Sequence, residues 1–239
     1  MKRTQNGFTM VELLIALLIG LFLVGGLLTM VQNNKRTFMT QGDLSQLQDN
    51  ERLAMTMMTD VIQTTGYYPN PTINTAASVM PAVGGMAQGQ GMIGTFNAAA
   101  PGDTITARYA TASGDGILNC IGASNSSGGT LNYVNAFSVI VNAAGISQLV
   151  CTLNGTQYPL VSGVTKLTVM YGVNTLGSST NVDTYMNAAQ ITGGGFWNNV
   201  MSVQITLNFV NPQYTSPGLG QLPDISFQRN IAVMGSTGI

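Results

Sequence analysis

Three residues near the start of the chain carry usable chemistry, and their order matters. Gly7 closes a short basic leader, Met1-Lys2-Arg3-Thr4-Gln5-Asn6-Gly7; Phe8 follows it; and Glu12 sets a lone carboxylate just ahead of nineteen uncharged, mainly apolar residues, Leu13 to Val31. A Sec-type leader has the reverse order, with a small-x-small cleavage site after its apolar core. Here Val31 runs into Gln32-Asn33-Asn34-Lys35, which offers no such site. Peptidase cleavage is therefore expected between Gly7 and Phe8, and the mature chain would keep its apolar segment. The cut would create an α-amino group on Phe8. Four residues along a helix rise about 6 Å and return to the same face, so Glu12 could pair with that amine or with a neighbouring chain's. A carboxylate beside an apolar interior is costly unless it is paired, hydrated or protonated.

Elsewhere reactive side chains are scarce. Cys120 and Cys151 are the two cysteines, with thirty residues between them. In an oxidising compartment they could form one disulfide contributing about 3–4 kcal/mol; the alternative is two buried free thiols. The chain has no histidine, which removes the usual general base, the Ser-His-Asp triad and the commonest zinc ligand. Asp103, Asp115 and Asp183 stand apart, with no D-x-D-x-D-G cluster for calcium, and are expected to be loop acids. No catalytic residue, no metal ligand and no enzymatic activity are expected. Gly89-Gln90-Gly91-Met92-Ile93-Gly94 fits G-x-G-x-x-G by letters, but no strand signal precedes it and no helix signal follows. It fails the context of a dinucleotide site, and no cofactor is expected.

Charged residues make up 7% of the 239, against about 25% in an average globular domain. From Lys35 onward six Lys/Arg face eight Asp/Glu, a balance of −2 without a run of either sign. A basic stripe for nucleic acid is absent, so nucleic acid is not an expected partner. Asn, Thr, Ser, Gln and Gly must keep the surface wet, which suits a protein packed among partners in a fibre.

The elements that position these residues follow from hydrophobic period. The nineteen-residue run spans about 28 Å as a helix, close to the roughly 30 Å hydrocarbon core. Lys2 and Arg3 place the amino end in the cytoplasm. Leu44, Leu47, Ala54, Met58 and Ile62 then recur at helical spacing on one face, with Gln46, Asp49, Asn50 and Arg52 largely on the others. Gly66, with Pro69 and Pro71 just beyond, reads as the helix stop. Gly25, Gly26 and Gly42 weaken the helix, either to let it bend or to let another helix approach.

Beyond it, residues 67–102 read as a long Gly-, Ala- and Pro-rich loop with some local structure. About seven strands follow: 104–109, 137–141, 146–153, 158–161, 164–173, 200–210 and 225–233. Asn142-Ala143-Ala144-Gly145 and Asn154-Gly155 are hairpin turns between them. Trp197 is expected to start a strand and pack in the core, with an exposed partner anchor as the alternative. The fold class is α+β: a long amino-terminal helix, its first half membrane-spanning, packed on an antiparallel β-sheet domain.

Gly7, Phe8, Thr9, Met10, Val11, Glu12 and Leu13 match the G-F-T-x-x-E-L pattern, and with the basic leader and the apolar run they resemble the class III leader of type IV pilins and pseudopilins. The resemblance sharpens toward the PilW family of minor pilins, related to the J-type pseudopilin of type II secretion. It is carried by Leu149-Val150-Cys151, Pro159 to Leu167, Tyr171-Gly172-Val173-Asn174, Val182-Asp183-Thr184-Tyr185 and Trp197 to Leu207, in the family's order. Relatives often carry an arginine around residues 200–210, where this chain has Asn208-Phe209-Val210.

This resemblance implies a leader over 1–7, a continuous helix over 8–66 (transmembrane about 13–31, amphipathic about 32–66) and a periplasmic β-rich domain over 67–239. It implies cleavage at Gly7-Phe8, N-methylation of Phe8 and an assembly role for Glu12 through an adjacent subunit's amine. The implied function is that of a minor pilin in the complex that initiates and caps type IV pili, of the kind used in twitching motility. Its partners would be other minor pilins, the major pilin, prepilin peptidase, the inner membrane and a PilY-type tip adhesin. A J-type pseudopilin of type II secretion and a pilus-borne adhesin or DNA-uptake subunit are the alternatives.

Overall fold

The computed structural model describes Gly7 and residues 9–176, 181–214 and 222–234. Helix α1 runs Met10–Gln63, 54 residues, and the chain divides into two compact units, one up to Gln46 and one from Leu47 onward. In the first unit Leu13, Leu14, Leu17, Leu21, Phe22, Leu27 and Val31 are all exposed. The helix continues through Gly20, Gly25, Gly26 and Gly42, where an added Cβ would meet nothing of this chain.

In the second unit the last turns of α1 bury Leu47, Ala54, Met55, Met58, Val61 and Ile62. This is the expected face, widened by Met55 and Val61, while Leu44 at its start is only half-buried. The helix stops at Gln63, and Gly66 turns the chain away with φ 79° while its amide donates to the Arg108 carbonyl at 2.9 Å.

Among the described residues nine strands form two antiparallel sheets, where the sequence suggested about seven in one. The first is a meander of β1 (Met92–Thr95), β2 (Thr104–Thr111), β3 (Leu131–Val141), β4 (Ser147–Leu153) and β5 (Thr156–Ser162), in spatial order β1-β2-β3-β4-β5. The second holds β6 (Val164–Val173), β7 (Thr184–Met186), β8 (Val200–Val210) and β9 (Asp224–Ala232), in order β7-β6-β8-β9. Both anticipated turns are present, joining β3 to β4 and, through Asn154-Gly155, β4 to β5. The 67–102 segment holds more structure than expected: a short helix α2 (Ala76–Val79), held by a Thr75–Ser78 capping box, and β1. A second short helix, α3 (Ala188–Gly194), and a 3-10 turn (Trp197–Asn199) precede β8.

Alternation builds the core. In β3 every second residue, Tyr133, Asn135, Phe137 and Val139, is buried, and Tyr133, Phe137 and Val139 join Met58 and Ile62 of α1, Leu149 of β4 and Leu167, Ile205 and Leu207 of the second sheet in one cluster. Between the sheets, Pro101–Asp103 crosses to the flank of β6 that β7 leaves open: Leu167 donates to the Pro101 carbonyl at 3.1 Å and accepts from the Asp103 amide at 2.8 Å. Gly102 makes this possible, since its φ is 96° and a Cβ there would collide with the Leu167 carbonyl oxygen. Among the described residues no lysine or arginine comes within ion-pair distance of a carboxylate.

Candidate functional site

The amino end of α1 is organised by reciprocal bonds between Thr9 and Glu12. The Glu12 amide donates to Thr9 Oγ1 at 3.4 Å, and the Thr9 amide and hydroxyl each donate to Glu12 Oε2 at 3.3 Å. This is a capping box: each side chain satisfies a backbone donor that the helix start leaves without a partner. The carboxylate also sits at the positive end of the helix dipole. Glu12 is exposed, and its Oε1 makes no hydrogen bond among the described residues. The sequence reading gave Thr9 no role; the T-x-x-E spacing before an apolar run was its signal.

Gly7 is exposed, with nothing within 4 Å of the place a Cβ would take. Phe8 lies outside the described residues. Helix α1 is long and apolar enough to cross a membrane, and its most apolar window is not buried by any of the described residues. A core helix of a soluble domain would be covered. This one presents a shallow apolar groove lined by Leu13, Ala16, Leu17, Gly20, Leu21 and Val24.

In the globular unit the structure joins Cys120 to Cys151, with Cα atoms 6.4 Å apart and both residues buried. Of the two expectations for the thiols, the disulfide is the one realised. It ties the loop before β3 to β4. The same loop is held by the Cys120 amide donating to Asn135 Oδ1 at 3.0 Å and by the Tyr109 hydroxyl donating to the Leu118 carbonyl at 2.6 Å.

The structure corrects one sequence reading and adds to others. Asp103 is a loop acid, but a buried one: it is 4% exposed, Oδ1 accepts the Asn97 amide at 2.7 Å and Oδ2 accepts the Val169 amide at 2.8 Å. Asp115 and Asp183 are exposed and accept the amides of Ala112 and Ile117, and of Thr175 and Leu176, in turns. Trp197 does not begin a strand. It sits in the 3-10 turn before β8, half-buried, edge-on to Tyr171 at 5.1 Å, with Nε1 donating to Thr192 Oγ1 at 3.1 Å. Arg108, on β2, does not face solvent either. It is wholly buried, and its guanidinium donates to the carbonyls of Gln90, Ala87 and Pro81. Gly94, the last glycine of the G-x-G-x-x-G letters, lies in β1 with the Tyr171 hydroxyl and the Thr104 carbonyl against it.

Burial sets the ionisation of this interior. It pushes the phenols of Tyr109 and Tyr171 up from their usual value, with the Asp103 charge adding to the effect on Tyr171, and it lowers that of the Arg108 guanidinium. The Tyr171 hydroxyl has no hydrogen-bond partner among the described residues.

Compared with known families, residues 136–229 match the model described as Type IV Pilus-assembly protein W, and residues 2–28 match the Prokaryotic N-terminal methylation motif. No curated protein and no solved structure matches the chain. The first match runs from within β3 to Arg229 in β9 and takes in Cys151, the Asn154-Gly155 hairpin and most of the second sheet. The second covers Gly7, the Thr9–Glu12 capping box and most of the apolar run, which fits a membrane-anchored pilin. Both signatures fall on elements that the sequence resemblance anticipated, and together they are consistent with a type IV pilus minor pilin of the PilW family.

Proposed function

We propose that this minor pilin is a structural, non-catalytic subunit of the small complex that initiates type IV pilus assembly and ends up near the fibre tip. Prepilin peptidase cuts between Gly7 and Phe8, and the new amino group on Phe8 is methylated. Glu12 then exchanges part of its bonding to Thr9 for the amine of an adjacent subunit as the apolar helix leaves the inner membrane. The globular unit faces the periplasm before assembly and the outside of the cell afterwards. Its partners are the other minor pilins and the major pilin. The observation that carries this reading is the pairing of an exposed carboxylate with a membrane-length helix that its own chain leaves uncovered, while the same helix continues into a packed core.

Two variants test it. Glu12→Gln keeps an oxygen for the capping box but removes the charge, and Glu12→Ala removes both. Each should lower the amount of the protein recovered in sheared fibres at least tenfold while membrane levels hold. The amino-terminal peptide from wild-type fibres should begin at methylated Phe8. Normal incorporation of Glu12→Gln, or a fibre peptide beginning at Met1, would overturn the proposal.

A further inference from the structure

The two sheets have four outer strands, and three of them are unsuited to accept another chain. Strand β1 has four residues and β7 has three, while β5 carries Pro159 in its middle and faces a register shift at Leu149/Val150. Short edges, proline and bulges are the usual ways in which an edge is closed to pairing. Strand β9 is different. It pairs with β8 without a register shift from Ser202↔Ala232 to Val210↔Asp224, its nine residues include no proline or glycine, and no strand lies on its far side among the described residues.

The side chains of β9 add a specific feature. Ile225, Phe227, Arg229 and Ile231 lie opposite Phe209, Leu207, Ile205 and Val203, so Arg229 projects from the core face of the sheet between two apolar neighbours. It is half-buried, yet it makes no hydrogen bond and no ion pair among the described residues. Arg108, the other arginine set in the globular core, is satisfied by three carbonyl groups. Every Asp and Glu of the chain lies among the described residues. The one acid on β8 or β9 is Asp224, five residues and about 17 Å along the strand, on the opposite face.

A second copy cannot supply the missing acid by edge-to-edge pairing about a two-fold axis. Directly opposite residues share a sheet face, so odd-numbered residues of β9 would meet odd-numbered ones, and Arg229 would face Ile225, Phe227 or Arg229 but never Asp224. An apolar strand from any source would trap the guanidinium unpaired, which is costly. Arg229 therefore rejects most strands and admits one class.

We propose that the outer edge of β9 is a strand-acceptor site for an extended segment of a different protein, one that alternates apolar residues with polar ones and sets a carboxylate opposite Arg229. Backbone hydrogen bonds supply the attachment and the carboxylate supplies the choice. The apolar residues on either side of that acid lie opposite Phe227 and Ile231, and the next one along lies opposite Ile225.

The test uses the detergent-solubilised full chain and synthetic nine-residue peptides of alternating isoleucine and threonine, with glutamate, glutamine or lysine in fifth place among the isoleucines. The glutamate peptide should bind at least tenfold tighter than the glutamine peptide at low salt, and it should slow hydrogen exchange of the β9 amides. Arg229→Glu should transfer the preference to the lysine peptide, and Arg229→Gln should abolish the discrimination. Methylating alternate peptide amides should abolish binding for one alternate set and spare it for the other, a control that does not depend on how any variant folds. Equal affinity for the glutamate and glutamine peptides, protection away from β9, or no binding of the glutamate peptide would overturn the proposal.

Discussion

Asp103 Oδ2 accepts the backbone amide of Val169 at 2.8 Å, so a side chain completes the flank of a strand sixty-six residues further along. The flank of β6 beyond the reach of β7 is bonded in turn by Pro101, by the Asp103 backbone and by the Asp103 carboxylate. One acid thereby fastens the first sheet to the second.

Replacing it should be expensive. Asp103→Ala leaves the buried Val169 amide without an acceptor and should lower stability by about 3 kcal/mol. Asp103→Asn keeps one acceptor oxygen and should cost about half of that. Thermal unfolding of the detergent-solubilised chain measures both, and the order matters: equal losses would mean that the two hydrogen bonds are not what the carboxylate contributes.

The Tyr171 hydroxyl is buried without a partner, and its phenol stays protonated above the usual tyrosine value. A group whose pKa is raised on folding contributes fully below its unfolded value and loses that contribution as pH rises toward the folded one. Above pH about 10, stability should therefore fall by about 1.4 kcal/mol per pH unit for each of Tyr171 and Tyr109. Tyr171→Phe should raise stability at neutral pH by about 1 kcal/mol and halve the alkaline slope in a pH series of unfolding curves.

Arg108 supports the segment that covers one face of β2. Arg108→Met fills most of the space but leaves the carbonyls of Gln90, Ala87 and Pro81 without their donor, and should cost about 3 kcal/mol. The readable consequence is local. Amides of residues 80–91 should exchange at least tenfold faster, and Arg108→Lys should restore only part of the protection because a single ammonium cannot span three carbonyls held by a planar fork.

Removing the disulfide with Cys120→Ser and Cys151→Ser together should lower the unfolding free energy by about 3 kcal/mol. The intact protein should resist thiol alkylation until it is both unfolded and reduced. Rapid labelling of the native, unreduced chain would contradict the buried cross-link.

What was legible in the sequence was local. The apolar run and the Asn154-Gly155 hairpin each depend on neighbours a few residues away, and each was found where its pattern stood. Strands β1 and β7 were not readable, because three or four residues hold too little alternation to rise above a glycine-rich surrounding. The burial of Arg108 was not readable for a different reason. Period-two alternation sends it outward from β2, and it would stay there if the second face of that strand were wet; residues 80–91 fold over that face and bury both sides from Ala107 to Thr111. Asp103 finds its partner across two sheets, at a separation that no short motif encodes. At the amino end the opposite holds: Thr9 and Glu12 are three residues apart, and their mutual bonding was open to inspection in the letters themselves.

The globular unit coheres through apolar burial, hydrogen bonds that tie even the buried Arg108 and Asp103 to uncharged backbone groups, and one covalent cross-link, with no ion pair among the described residues. Mobile ions screen charge and leave those forces nearly untouched. Its shape is therefore decoupled from the salinity of the water around it, from rain to brine. Only contacts reaching across its surface, such as one made through Arg229, remain for the medium to tune.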